Sequence, residues 1–164
     1  MYKLIIPSKI GLIKIVCDET HLVEVSFSNS EEQSNPNEIC WQTKEELDGY
    51  FNRKLKGFNL PIRYNGTGFQ VSVWKELVKV PYGELITYQE LANRVGKPKG
   101  VRAVANAVGK NQLLIINPCH RVIGSNHTLT GFSAGINNKI KLLELEGYKL
   151  TENENPRNSR VIIN

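Results

Sequence analysis

The chain has little of what would place it in a membrane, among secreted proteins or among disordered ones. Its longest apolar runs, such as Leu113 to Ile116, fall far short of the ~20 residues a bilayer requires. Only three cysteines occur, at 17, 40 and 119, an odd number that cannot all pair within one chain, and they read as reduced thiols. The first sixteen residues are interrupted by Pro7, Lys9 and Lys14 and lead to no small-residue cleavage site, so they read as a folded strand rather than an export signal. A cytoplasmic location is expected, or a nuclear one in a eukaryote. With 13 glycines, 7 prolines and 40% hydrophobic residues, the composition excludes a disordered chain. Its 164 residues can bury roughly 70% of the unfolded surface, enough for one or two small cores.

Negative charge is also absent where it matters. Between Leu91 and Leu143 there is no Asp or Glu, while Arg94, Lys97, Lys99, Arg102, Lys110, Arg121, Lys139 and Lys141 all fall there. Residues 1 to 64 carry 8 Lys/Arg against 9 Asp/Glu; residues 65 to 164 carry 13 against 7, which accounts for the net charge of +5. A segment of one sign points to a polyanion, with nucleic acid the leading partner, and a merely solvated basic face is the alternative.

Two hydrophobic periods divide the chain. From Leu4 to Phe27 short β-rich runs alternate, broken at Pro7 to Gly11 and at Asp18 to Thr20, which predicts a small antiparallel sheet. A helix is expected around Ile39 to Phe51, then a further strand at Phe58 to Ile62, with Asn65 to Gly68 marking a boundary. Beyond it the period becomes helical. Thr67 with Gln70 and Thr87 with Glu90 fit capping boxes opening helices over Phe69 to Val80 and Tyr88 to Val95. A third helix is expected over Lys99 to Val108, stopped by Gly109, and a last over Asn138 to Leu145, with Gly147 beyond its end. A short helix, a glycine turn and a second basic helix make a helix-turn-helix-like unit. The expected divisions are 1–64, 65–150 and a polar, loosely held tail over 151–164.

The chemistry centres on Asn117 to Ile123. A thiol attacks as thiolate, and a neighbouring histidine, cation or helix terminus favours that form. Cys119 has His120 and Arg121 beside it in sequence. On spacing alone, a buried structural cysteine explains Cys119 at least as well. Glu146 is a second signal, because a carboxylate at the end of the last helix opposes the helix dipole at a cost of ~0.3 to 1 kcal/mol; a solvated surface glutamate is the alternative.

Phe69-Gln70, Val73-Trp74, Leu77, Val80-Pro81-Tyr82-Gly83, Thr87-Tyr88, Leu91-Ala92, Arg102-Ala103-Val104, Asn111 and Pro118-Cys119-His120-Arg121-Val122-Ile123 recur together. In type and spacing they closely resemble the O6-alkylguanine-DNA alkyltransferases, also called methylated-DNA protein-cysteine methyltransferases. The match covers residues 68 to 149; residues 1 to 64 resemble the family only in general pattern. The resemblance implies an α/β N-terminal domain, ribonuclease H-like, with a small antiparallel sheet plus helix. A mainly α, winged-helix-like DNA-binding domain would follow it. It implies direct, irreversible transfer of the alkyl group from O6-alkylguanine in double-stranded DNA to Cys119, in one turnover, by a monomeric chain without cofactor, metal or membrane; activity on O4-alkylthymine stays open.

Carried over residue by residue, Cys119 would be the acceptor, activated through a water by His120, which Glu146 would orient. Tyr88 would lie against guanine N3, and Asn111 would brace the cysteine turn. Arg102 would fill the space left by a flipped nucleotide, with Ala103, Gly100 and Ala105 allowing close approach of the helix to the minor groove. Val122 would offer its carbonyl to the guanine amino group, Ser133 its amide to O6, and Phe132 a wall of the pocket. Two positions depart from the family: Phe132 stands where tyrosine is usual, and Asn117 replaces an apolar residue before Pro118. Members that bind lesions without repairing them have tryptophan in place of this cysteine. The alternative functions are a non-catalytic helix-turn-helix DNA- or lesion-binding module and a Cys-His hydrolase. A zinc site of Cys17, His21 and Cys40 matches no common finger spacing.

Overall fold

A computed structural model describes residues 1–129, 132, 134–151, 153 and 155–163. The chain forms two compact units: Met1–Asn65 with Gln112–Ile116, and Gly66–Asn111 with Asn117–Asn164.

In the first unit, β1 (Tyr2–Ile6), β2 (Leu12–Cys17) and β3 (Leu22–Ser28) make an antiparallel sheet in that order. Alternation sets the register, Leu4 opposite Ile15 and Ile15 opposite Val25, so that Leu4, Ile6, Ile13, Ile15 and Cys17 are buried together. Helix α1 (Glu38–Phe51) is capped by Asn37, whose side chain accepts from the Cys40 amide at 3.0 Å. It buries Cys40, Thr43, Leu47, Tyr50 and Phe51, one face at helical spacing.

The strand expected at Phe58 to Ile62 does not form. Ile62 makes a single bridge to Leu22, with the Leu22 amide donating to Pro61 O at 2.6 Å. Pro61 has no N–H to extend a ladder. Instead Gln112–Ile116 joins this unit: the Val25 amide donates to Gln112 O at 2.9 Å and the Leu114 amide to Val25 O at 3.0 Å.

The second unit is mainly helical: α2 (Gly68–Leu77), α3 (Tyr88–Arg94), α4 (Val101–Gly109) and α5 (Ile136–Leu145). A parallel pair, β4 (Ile86–Thr87) and β5 (Val122–Ile123), joins them. Thr67 and Gln70 form both arms of a capping box at α2, while at α3 the Thr87 hydroxyl accepts from the Glu90 amide. Trp74 Nε1 donates to Ala107 O at 2.8 Å, fastening α2 to α4. Between α3 and α4 the chain turns at Gly96 (φ 75°), with the Lys97 amide donating to Ala92 O and the Gly96 amide to Asn93 O. This is a Schellman ending, which places a left-handed residue just past the helix. Helix α5 ends in the same way at Gly147 (φ 103°), which makes Glu146 its capping residue.

The described residues of the tail are hydrogen-bonded to this unit. The Thr151 amide donates to Arg160 O, Ile162 to Lys149 O, Val161 to His127 O and Leu129 to Ser159 O. Val161 sits in a core with Ile123, Leu129 and Leu143. The polar composition of 151–164 hid the one apolar residue that anchors it. Val161→Ala is expected to destabilise this unit by about 2 kcal/mol in denaturant unfolding; a loss under ~0.5 kcal/mol would show that the tail adds nothing to the core.

Candidate active site

A single 3₁₀ turn, Cys119–Arg121, carries the reactive residues, and all three are buried. Five residues earlier the chain has left the helical unit for the sheet, and Ile115 adopts φ 71°, a conformation that a β-branched residue takes only under constraint. It returns at Asn117, whose carbonyl accepts from the Cys119 amide at 2.8 Å. Asn111, two residues past the end of α4, donates from Nδ2 to that same carbonyl at 2.8 Å and to Cys119 Sγ at 3.2 Å. The helix end, the turn and the thiol are thus held by one side-chain amide.

Burial pushes the Cys119 thiol up to about 11, with the Asn111 hydrogen bond and the charge of Lys139 pulling the other way. The sulfur is therefore a neutral thiol at neutral pH. Lys139, fully buried on α5, donates from Nζ to Val122 O at 2.6 Å and Leu129 O at 2.7 Å, and burial pushes it down to about 8. Its Nζ lies 5.9 Å from the Phe132 ring centroid.

Behind the thiol lies a buried ionic knot. His120 Nε2 is 2.5 Å from Glu146 Oε2. Arg121 grips the same carboxylate twice, Nε to Oε1 at 2.8 Å and Nη2 to Oε2 at 3.1 Å, and its Nη1 donates to Val80 O at 2.8 Å. The Gly83 amide completes the set with a bond to Oε1 at 3.0 Å. Although burial alone would raise it, hydrogen bonds and charge from His120 and Arg121 hold the Glu146 carboxyl well below the usual carboxylate range. Burial pushes His120 below its ordinary value against the pull of Glu146. The ring is then neutral, and since a carboxylate can only accept, its proton sits on Nε2. Nδ1 is buried without a hydrogen-bond partner, a lone pair held ready.

Cys119 opens on a cavity of about 1190 Å³ lined also by Tyr88, Arg102, Ala105 and Phe132. Residues 68–148 match the family described as 6-O-methylguanine DNA methyltransferase, DNA binding domain, and residues 1–64 match its ribonuclease-like domain. A methylated-DNA–protein-cysteine methyltransferase of Haemophilus influenzae is 40% identical over 96% of this chain and 94% of its own. That of Methanosarcina acetivorans is 42% identical over 90% and 99%. A crystal structure of Mycobacterium tuberculosis OGT in complex with DNA superposes with a TM-score of 0.82, at 38% identity, covering 89% of this chain and 92% of that one. The chain belongs to the methylated-DNA–protein-cysteine methyltransferase family. Its fold is that of the family: a ribonuclease-like domain with a small antiparallel sheet, then a helical DNA-binding domain.

Of the site residues expected from the sequence, Cys119, Tyr88, Arg102, Ala105 and Phe132 line the cavity, while His120, Glu146 and Asn111 are buried and do not line it. Arg102 and Ala103 are exposed on α4, and Gly100 is its N-terminal flanking residue. The Val122 carbonyl, expected to face the guanine amino group, is bonded to Lys139, and Val122 is buried and is not among the residues lining the cavity. Ser133 lies outside the described residues. Asn117 does not disrupt the turn, whose hydrogen bonds form through its backbone, but its side-chain N and O are buried without partners. Such burial costs about 1–3 kcal/mol. Among the described residues no three metal-ligating side chains cluster, and His21 Nδ1 faces Thr20 Oγ1 at 2.7 Å and Arg63 at 3.0 Å rather than Cys17 and Cys40.

Sequence reasoning missed Lys139 and the Gly83 amide, and it read Arg121 as a cation beside the thiol rather than as the partner of Glu146. Lys139 had a legible signal, since it lies three residues after Ile136 and four before Leu143, on the apolar face of its helix. Arg121 had only its adjacency to His120.

Replacing Glu146 by Gln leaves the Arg121 guanidinium buried without a counter-charge, and a loss of about 3–5 kcal/mol is expected. Because the native carboxyl titrates below its unfolded value, its stabilisation is complete above about pH 5 and is lost as pH falls toward the native pKa. Unfolding measured across this range should show a shallower acid slope for Glu146→Gln; an unchanged slope would sink the assignment of an ionised Glu146.

Proposed function

We propose that this chain repairs double-stranded DNA by moving the alkyl group of O6-alkylguanine irreversibly onto Cys119. Supporting it most directly is one observation: Cys119 lines a cavity, and the adjacent buried His120 has one nitrogen committed to Glu146 and the other uncommitted. A regulator or a lesion-binding module with the same helices needs no such arrangement.

In this reading the thiol proton passes to His120 Nδ1 through a bridging water, since the bond to Sγ comes from Asn111 and not from the imidazole. The imidazolium formed lies against the Glu146 carboxylate, already ionised and held by Arg121, so no reorganisation is needed to stabilise it. The sulfur attacks the alkyl carbon, an S–C bond forms, and the C–O6 bond breaks with its electron pair passing to the guanine. Tyr88, on the cavity wall, supplies a proton at N3 of the departing base, and the His120 proton passes through water to the Tyr88 phenolate, so that the sum is thiol plus alkylguanine to thioether plus guanine. No cofactor enters this balance. Dealkylating the thioether would have to expel a thiolate, a poor leaving group here, so the chain works once.

Reaching O6 requires that the nucleotide leave the stack. The exposed Arg102 on α4 would occupy the gap, and the small side chains of Gly100, Ala103 and Ala105 would let the helix approach the minor groove. The exposed Arg94, Lys97, Lys99, Arg102, Lys110 and Lys141, in a stretch free of acidic residues, supply the attraction to phosphate. No helix among the described residues is long and apolar enough to cross a membrane.

Mixing the protein with an equimolar duplex carrying one O6-methylguanine tests the reading by mass spectrometry. The Cys119 peptide should gain one methyl group, saturating at one per protein, and Cys119→Ser should gain none. An unchanged mass with the duplex still bound would make this a lesion-recognition module.

A further inference from the structure

The cavity wall includes a residue from the tail. Arg157 lies in a 3₁₀ turn, Pro156–Asn158, and lines the same cavity as Cys119, Tyr88 and Arg102. Among the described residues, Arg102 and Arg157 are the two charged side chains that line it, and no carboxylate faces them there. Both are exposed, and neither guanidinium makes an ion pair or hydrogen bond with a described residue. Two cations at one cavity mouth repel each other, and an anion between or beside them removes that cost.

Arg157 is also held in place. Asn155 Oδ1 accepts from the Arg157 amide at 3.1 Å, and the Ser159 amide donates to Pro156 O at 3.1 Å. Two residues on, Ser159 is buried and its carbonyl accepts from Leu129; Val161 follows in the core. The backbone that presents the guanidinium is therefore ordered by contacts unrelated to any ligand. A planar fork of donors on a fixed turn is suited to a phosphodiester.

We propose that Arg157 is a phosphate-binding residue of the DNA site, contacting the strand that carries the alkylated base at the mouth of the Cys119 cavity. The proposal rests on the reading of that cavity as a DNA site. It gives the tail a purpose that its composition conceals: the antiparallel pairing of Lys149–Thr151 with Arg160–Ile162 carries Arg157 back to the reactive cysteine.

Arg157→Gln and Arg157→Lys test it in the full chain. Binding to unmethylated duplex is measured by fluorescence anisotropy over a salt series, and the single-turnover rate is measured on O6-methylguanine duplex and on free O6-benzylguanine, which has no phosphate. Arg157→Gln is expected to weaken duplex binding and lower the slope of log affinity against log salt by about one, with Arg157→Lys retaining most of the slope. The rate on free O6-benzylguanine and the thermal unfolding midpoint should not change. An unaltered salt slope, or an equal loss on the free base, would overturn the proposal. A wild-type chain that shows the Arg157-dependent slope yet takes up no methyl group would support Arg157 as a phosphate contact and overturn alkyl transfer instead.

Discussion

One carboxylate with four donors around it organises the reactive half of this molecule. Glu146 accepts from both arms of Arg121, from His120 and from the Gly83 amide, and its side chain has no exposed surface. These groups come from three stretches of chain: the loop after α2, the cysteine turn and the end of α5. Were Glu146 unpaired, its burial would be prohibitive; with Arg121 the charges cancel, and His120 can stay neutral beside an ion pair. The Schellman ending at Gly147 aims this side chain inward instead of letting it run on along the helix. The rule it breaks, a carboxylate at a helix C-terminus, is compensated by a guanidinium far away in sequence.

The same knot determines what the thiol can do. A cysteine kept as an exposed thiolate is open to oxidation and to adventitious alkylation. Here burial keeps Cys119 protonated, while Asn111 and Lys139 limit how far its pKa rises, and the Nδ1 of the adjacent His120 is buried without a hydrogen-bond partner. Reactivity is stored as a geometry, and it is expressed when a substrate carbon meets the sulfur. Lys139 plays a double part, holding the Val122 and Leu129 carbonyls while placing a positive charge near the thiol.

Much of this was legible in the residues. Period-two runs gave the three strands, and capping residues with glycine stops gave the helices to within a few positions. Cys119 and His120 stood out by adjacency, and Glu146 by its misplacement. What stayed hidden depended on contacts between distant segments. Gln112–Ile116 is apolar enough to suit either unit, and only its pairing with Val25 decides for the sheet. Phe58 to Ile62 has strand composition but carries a proline that ends the ladder. The tail is mostly polar, and of its apolar residues Val161, Ile162 and Ile163 only the first is buried. Arg121 and Lys139 looked like members of a basic surface, because sequence reports charge and not the direction in which a side chain points.

The central claim is that His120 is a neutral base, its single proton on Nε2 and held by Glu146, beside an un-ionised Cys119. Nitrogen NMR of the isotope-labelled His120 ring in the free protein at neutral pH reads this directly. The account predicts one protonated nitrogen, Nε2, and one unprotonated, Nδ1. A ring protonated on both nitrogens would mean an imidazolium–thiolate pair already formed before substrate binds, and would contradict it.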